Sequence, residues 1–489
     1  MLFNSFEFLI FFPVVTLGYF LLPHRHRWWW LLAASCVFYM FFKWIYILIL
    51  FFTIIIDYYA GLYIERAHGR QRKWYLVMSL VANIGVLAIF KYYNFLNGNI
   101  SGLASLFGTT NPIPALTILL PIGLSFHTFQ AMSYTIEVYR GRQPAERHFG
   151  IYSLYVMFYP QLVAGPIERP QNVLHQFYEK HEFSYPRLIS GLQLMAWGLF
   201  KKVVIADRLA VVVNQVYDNY PRYEGLPLIF ATVLFSIQIY CDFSGYSDIA
   251  LGSAEAMGFH LMKNFDRPYF SKSISEFWKR WHISLSTWFR DYLYISLGGN
   301  RVAVGRRYFN LWITFLISGL WHGASWNFIL WGAIHGTYLI VGVWTKPLRR
   351  RFSDAIGITS DSWPDKILNV ACTFVLAAFA WIFFRAGTFA QAAYIVTHLF
   401  SGLGAQLADW RSIPALLFSL GLPKTQLAIG FVAVLIMEGV HWLQRTGSGR
   451  ALLAARPAWV RWPVYYGLLL WLLLFSYATA NPEFIYFQF

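Results

Sequence analysis

Charge is scarce in this chain. Only 13% of its 489 residues are Asp, Glu, Lys or Arg, against roughly 25% in soluble domains, which argues against a soluble globular fold. Cysteine is nearly absent. Cys36, Cys241 and Cys372 are odd in number, far apart and set among apolar residues. That excludes a disulfide framework and zinc-ligand spacing, and the three read as small buried hydrophobes. Sustained apolar–polar alternation over ~10-residue segments is missing, so a membrane β-barrel is not indicated. No GxxxxGK[ST], GxSxG or HExxH pattern occurs, which removes P-loop, nucleophile-elbow and zincin chemistry and leaves no expected metal. Met1–Glu7 carries no positive charge and no small-residue cleavage site follows Leu22, so Phe6–Leu22 reads as a retained first span. Neither an internal repeat nor a low-complexity tract is visible.

Apolar and aromatic residues fill the space that charge leaves. They make up 57% and 20% of the chain, and the mean hydropathy is +0.47. Apolar runs recur near the ~20 residues that a helical span needs. The composition therefore predicts an all-α polytopic membrane protein. We expect one integral-membrane domain over residues 1–489, with about 11 transmembrane helices plus re-entrant and interfacial pieces. The net charge of +16 comes from basic residues in short loops beside the apolar runs. No detached basic domain exists to bind nucleic acid, so these residues read as topology signals. The loops His24–Arg27, Glu65–Lys73, Arg140–His148, Lys346–Arg351 and Arg445–Arg461 are expected on the cytoplasmic side. Asn97–Pro114, which has no charge, and the N-terminus are expected outside.

The middle of the chain is less regular. Ile151–Val163 is short for a span and runs into Pro160–Pro170, a loop or re-entrant segment. Leu188–Val213 is interrupted by Lys201 and Lys202, which suggests a stretch lying at the interface. Asp242 and Asp248 read as helix-capping, internally hydrogen-bonded residues. Ser275–Leu297 reads as one amphipathic helix. Ile274, Trp278, Trp281, Leu285, Trp288 and Tyr292 form its apolar stripe, opposite Glu276, Lys279, Arg280, Thr287 and Arg290. Such a helix lies in an interface or lines a cavity, and His282 falls at the border of its two faces.

The stretch Ser318-Gly-Leu-Trp-His-Gly-Ala-Ser-Trp326 sits between the apolar runs Phe309–Ile317 and Phe328–Trp344, which puts His322 at membrane depth. An ionisable group there is costly and is usually kept for a task. His127, His335, His398 and His441 also lie within or beside apolar runs, where the ordinary role is a structural hydrogen bond. His322 differs in its glycine and tryptophan neighbours. A desolvated imidazole stays neutral near pH 7 and can accept a proton, which suits a general base that deprotonates a hydroxyl attacking an acyl carbonyl. Gly298-Gly-Asn-Arg301 lacks a preceding strand and is a weak phosphate-loop candidate. Arg301, Arg306 and Arg307 could meet an anionic donor or, equally, lipid headgroups.

Ser275–Arg301 and Gly319–Gly336 together resemble the two histidine blocks of the membrane-bound O-acyltransferase (MBOAT) family. Pro160–Pro170, Tyr240–Asp248 and Pro482–Phe489 extend the resemblance toward its bacterial alginate O-acetyltransferase (AlgI-like) branch. It covers nearly the whole chain. The resemblance implies a ring of transmembrane helices around a thin centre crossed by a tunnel. It implies His322 as the catalytic residue and His282 as the second signature histidine. Lys279, Arg290 and Arg301 become candidates for holding the donor. No permanently bound cofactor is implied, and acetyl-CoA is the donor substrate expected from the cytoplasm. The partners implied are the lipid bilayer of the bacterial inner membrane, a periplasmic acetyl-accepting protein and a polysaccharide, alginate first. Cellulose or peptidoglycan acetylation and D-alanyl transfer to teichoic acid belong to the same branches. From a different class, a transporter would need inverted repeats and paired acids at the midplane. Asp57 and Glu438 are isolated, and no repeat is seen. A His322→Ala protein that inserts and still supports full O-acetylation would select the transporter. Thiol release from acetyl-CoA by the purified protein with its partner would select the transferase.

Overall fold

The computed structural model describes residues 1–117, 121–163, 165–445, 447–477 and 484–485. All regular elements among them are helical, as the composition predicts. Among the described residues eight helices are long and apolar enough to cross a membrane, and Phe6–Leu21 is a shorter apolar one. The expectation is about 11 spans plus re-entrant pieces, and several apolar runs beyond these eight form shorter helices. Ile151–Val163 divides at Phe158 into Phe149–Met157 and Tyr159–Leu162, all of it buried. Ala390–Phe400 forms only the short helix Phe389–His398. The run Leu116–Tyr139 is helical from Leu124, and its residues 118–120 lie outside the described residues. So do those of Pro482–Phe489, apart from Phe484 and Ile485.

The chain divides into two compact units. The first holds residues 1–195 and 247–263. Its centre is a three-helix cluster of α1 (Ile47–Arg66), α2 (Gly69–Leu87) and α3 (Leu124–Tyr139). Asp57 of α1 is fully buried. It accepts hydrogen bonds from Ser79 Oγ at 2.6 Å and from Asn83 Nδ2 at 2.9 and 2.8 Å, both on α2. A buried carboxyl supplied with donors costs far less than a bare one. The proline-rich segment is anchored in the same unit. The Glu168 carboxylate accepts from the Met262 amide and from Asn172 Nδ2, and Gln176 exchanges two hydrogen bonds with the backbone of His260, at 2.9 and 2.8 Å.

The second unit holds residues 196–246 and 264–489. It contains the first part of α4 (Leu226–Met257), then α5 (Ile274–Arg280), α6 (Ile283–Trp288), α7 (Val304–His322), α8 (Trp326–Trp344) and α9 (Trp363–Arg385). Here two sequence readings are corrected. Lys201 and Lys202 do not lie at an interface: both are buried, in a π-helical turn over Phe200–Ala206. Asp242 is not a cap, because it lies inside α4. Lys202 Nζ sits 2.6 Å from Asp242 and 2.9 Å from Asp207, and Lys201 Nζ donates to Ser244 Oγ at 2.9 Å. Asp242 also accepts from the Ile485 amide at 2.7 Å. The apolar helices can hold Lys202 because acids from a neighbouring turn and from α4 neutralise it. Breaking one partner of a buried ion pair typically costs about 3–5 kcal/mol. Lys202→Met should therefore lower unfolding stability in detergent by about that much. Adding Asp207→Asn and Asp242→Asn should recover part of the loss. A single variant as stable as the parent would show the network to be idle.

Candidate active site

His322 ends α7, and Gly323 follows in extended conformation before α8 begins at Trp326. The two helices form a hairpin whose backbones lie close together. A Cβ on Gly319 would run into the Phe328 carbonyl oxygen, and one on Gly332 into that of Phe315. Small residues at such crossings let helices approach where lipid supplies no hydrophobic drive. Asn327 Nδ2 donates to Ala386 O at 2.8 Å, which ties the start of α8 to the end of α9.

This packing surrounds His322 with aromatic rings. Its centroid lies 4.9 Å from Trp321, 5.0 Å from Trp331 and 5.3 Å from Phe384, each in edge-to-face geometry. The residue is 4% exposed. The sequence expectation of an ionisable side chain in a tryptophan-rich interior therefore holds.

His282 reaches the same neighbourhood by another route. The expected single helix over Ser275–Leu297 is broken. α5 ends at Arg280, α6 starts at Ile283, and a π-helical turn follows over Phe289–Tyr294. His282 occupies the break in left-handed conformation, with φ 43°. Asn264 holds the turn in place. Its carbonyl accepts from the Ile283 amide at 2.9 Å, and its side chain accepts from Ser284 Oγ at 2.7 Å. The expected apolar stripe survives the break: Ile274, Trp278, Trp281, Leu285, Trp288 and Tyr292 are all buried. His282 is not on a border between faces but fully buried, 4.6 Å from Phe243 and 6.2 Å from Trp321 between ring centroids. Burial pushes its imidazole well below the ordinary histidine range, so it works as a neutral ring. Trp321 thus lies near both histidines, 4.9 Å from His322 and 6.2 Å from His282 between ring centroids.

Lys279 and Arg301 are exposed, on α5 and after Gly299 respectively. Arg290 is exposed and pairs with its neighbour Asp291 at 2.7 Å. The other membrane histidines make structural bonds. His127 pairs with Thr53 Oγ1 at 2.5 Å, His441 with the Tyr240 hydroxyl at 3.0 Å, and His398 Nδ1 with the Tyr394 carbonyl at 2.9 Å. His335 is a neighbour of this cluster that the sequence reading did not single out. It stands on α8 one turn after Trp331, and the two ring centroids are 4.9 Å apart. Their i, i+4 spacing next to the His322 block was the available signal.

Comparison with known proteins adds the following. The family model described as the membrane-bound O-acyltransferase family matches residues 40–386. The "probable alginate O-acetylase AlgI" of Azotobacter vinelandii is 37% identical over 92% of this chain and 88% of its own length. The protein of that name from Pseudomonas aeruginosa is 39% identical over 84% of this chain and 76% of its own length. The "peptidoglycan O-acetyltransferase" of Helicobacter pylori is 35% identical over 79% of this chain and 77% of its own length.

Substitutions at two positions probe the geometry. Asn tolerates left-handed backbone and β-branched residues do not. His282→Asn should keep the unfolding temperature in detergent near the parent value, while His282→Val should lose about 1–3 kcal/mol. Gly319→Ala should push α7 from α8 and lower stability and activity together. A Gly319→Ala protein unchanged in both would contradict the packing.

Proposed function

The chain belongs to the membrane-bound O-acyltransferase family and is a multi-pass membrane O-acyltransferase, and from that premise we propose that it carries acetyl groups from cytoplasmic acetyl-CoA, across the bacterial inner membrane, to an acceptor serving exopolysaccharide O-acetylation. Alginate is the first polymer to test, since two of the relatives above are named for it. A periplasmic protein of the same pathway receives the acetyl group and modifies the polymer. Both units act as one catalytic domain. The family-matched stretch, residues 40–386, draws on residues of each.

His322 is the general base in this reading. A hydroxyl of the acceptor loses its proton to the imidazole as its oxygen attacks the thioester carbonyl. The carbon–sulfur bond then breaks, and the departing thiolate takes the proton back from His322. His282, one tryptophan away, orients the acyl donor as a neutral ring. Lys279, Arg290 and Arg301 are exposed and meet the anionic part of acetyl-CoA where it enters from water.

The observation that carries the reading is His322 itself. It is an imidazole 4% exposed, seated among Trp321, Trp331 and Phe384 within the stretch that the family model covers. Aromatic walls exclude water, which strengthens electrostatic interactions inside and protects an activated thioester from hydrolysis.

Membranes of a polymer-producing strain that carry His322→Ala as the only copy should release thiol from acetyl-CoA about 10²–10⁴-fold more slowly. The variant should be present at the parent level and should leave the polymer unacetylated. Acetyl content equal to the parent's would refute the assignment. Swapping alginate for peptidoglycan as the analysed polymer separates the acceptors that the relatives suggest.

A further inference from the structure

Trp278 donates its indole Nε1–H to Nδ1 of His335 at 3.2 Å. An indole nitrogen can only donate, so Nδ1 of His335 must be the accepting nitrogen. An imidazolium carries protons on both nitrogens and could not accept. The ring is therefore neutral, with its proton on Nε2. His335 is 0% exposed, and Nε2 has no hydrogen-bond partner among the described residues. Trp331 is also 0% exposed, and its Nε1–H likewise has no partner among them. Buried donors left without acceptors are rare in native proteins, and each calls for an explanation. Here two occur one helical turn apart on α8, with ring centroids 4.9 Å from each other. The ring of Trp331 is in turn 5.0 Å from that of His322.

We propose that the Nε2–H of His335, with the Nε1–H of Trp331 beside it, donates to the carbonyl oxygen of the acyl donor and forms the oxyanion site of the reaction. This rests on the acyl-transfer reading above. The acceptor hydroxyl gives its proton to His322, and its oxygen forms a bond to the carbonyl carbon. The π electrons of the carbonyl move onto its oxygen, where the two N–H groups hold the new charge. The charge then returns, the carbon–sulfur bond breaks, and the thiolate takes the proton from His322. Trp278 is a positioning residue in this scheme. It keeps the donating proton of His335 on the nitrogen away from itself. Donors fixed in advance at the place where charge develops need no reorganisation during the step.

The test uses the full chain in membranes of a polymer-producing strain, with acetyl-CoA as the probe and thiol release as the readout. His335→Phe keeps a ring and removes the donor. It should lower kcat about 10²–10³-fold with KM little changed, since the bond strengthens in the transition state rather than in the bound donor. His335→Gln, whose amide can still donate, should recover at least about tenfold of that loss. Trp331→Phe should also lower kcat, by a smaller factor. It provides the reading if His335→Phe does not insert. Wild-type kcat in His335→Phe or in Trp331→Phe would overturn the proposal, as would a glutamine variant no faster than the phenylalanine one. If His322→Ala still releases thiol at the parent rate, the acyl-transfer reading fails. If His322→Ala is silent while His335→Phe is unimpaired, only the oxyanion assignment fails.

Discussion

The close approach of α7 and α8 governs the site. At Gly319 and Gly332 each backbone occupies the space that a side chain of the other would fill. Because the helices touch there, the end of α7 is held against the first turns of α8, and α9 is drawn in through Asn327 and Ala386. His322 has nowhere to go but the gap between Trp321, Trp331 and Phe384. A bulkier residue at either glycine would separate the helices by more than the fit between these rings allows. In a packed interior such a shift is not absorbed smoothly.

The two units offer one example each of how buried polarity is met. In the first, Asp57 is met by neutral donors, Ser79 and Asn83. In the second, Lys202 is met by full charges from Asp207 and Asp242. Neutral satisfaction costs little and fits a helix cluster that only needs to stay together. Charged satisfaction carries a desolvation penalty that the attraction between the paired charges must offset. The lysine turn is also π-helical, a local widening that often marks functional sites. It brings Lys201 and Lys202 side by side to face α4, whose next residue after Asp242, Phe243, packs on His282.

Much of this could be read from residue order. The apolar stripe of Ser275–Leu297 names six residues, and all six are buried. His322 stood out because glycine and tryptophan flank it at membrane depth. Other features carried no such mark. The break at His282 has neither glycine nor proline beside it. It is imposed from outside, by Asn264 bonding the amide of Ile283 and the hydroxyl of Ser284. Lys201 and Lys202 looked interfacial because adjacent lysines in an apolar run usually seek water. The acidic partners of Lys202, Asp207 and Asp242, come from a different turn and a different helix, and sequence distance hides such pairs. His335 reads as a structural hydrogen-bonder, and its partner Trp278 lies 57 residues away, a distance that residue order hides.

Composition and periodicity determined the class of molecule, the membrane setting and the helical architecture, and they singled out a histidine flanked by glycine and tryptophan as the candidate for the chemistry. These depend on the solvent that each stretch prefers, and that preference is written residue by residue. The tertiary structure alone decided which rings enclose His322, where the interfacial stripe breaks, which charges cancel and which tautomer His335 adopts. Each of those is a relation between groups far apart along the chain. Its energy exists only once packing has excluded water from between them.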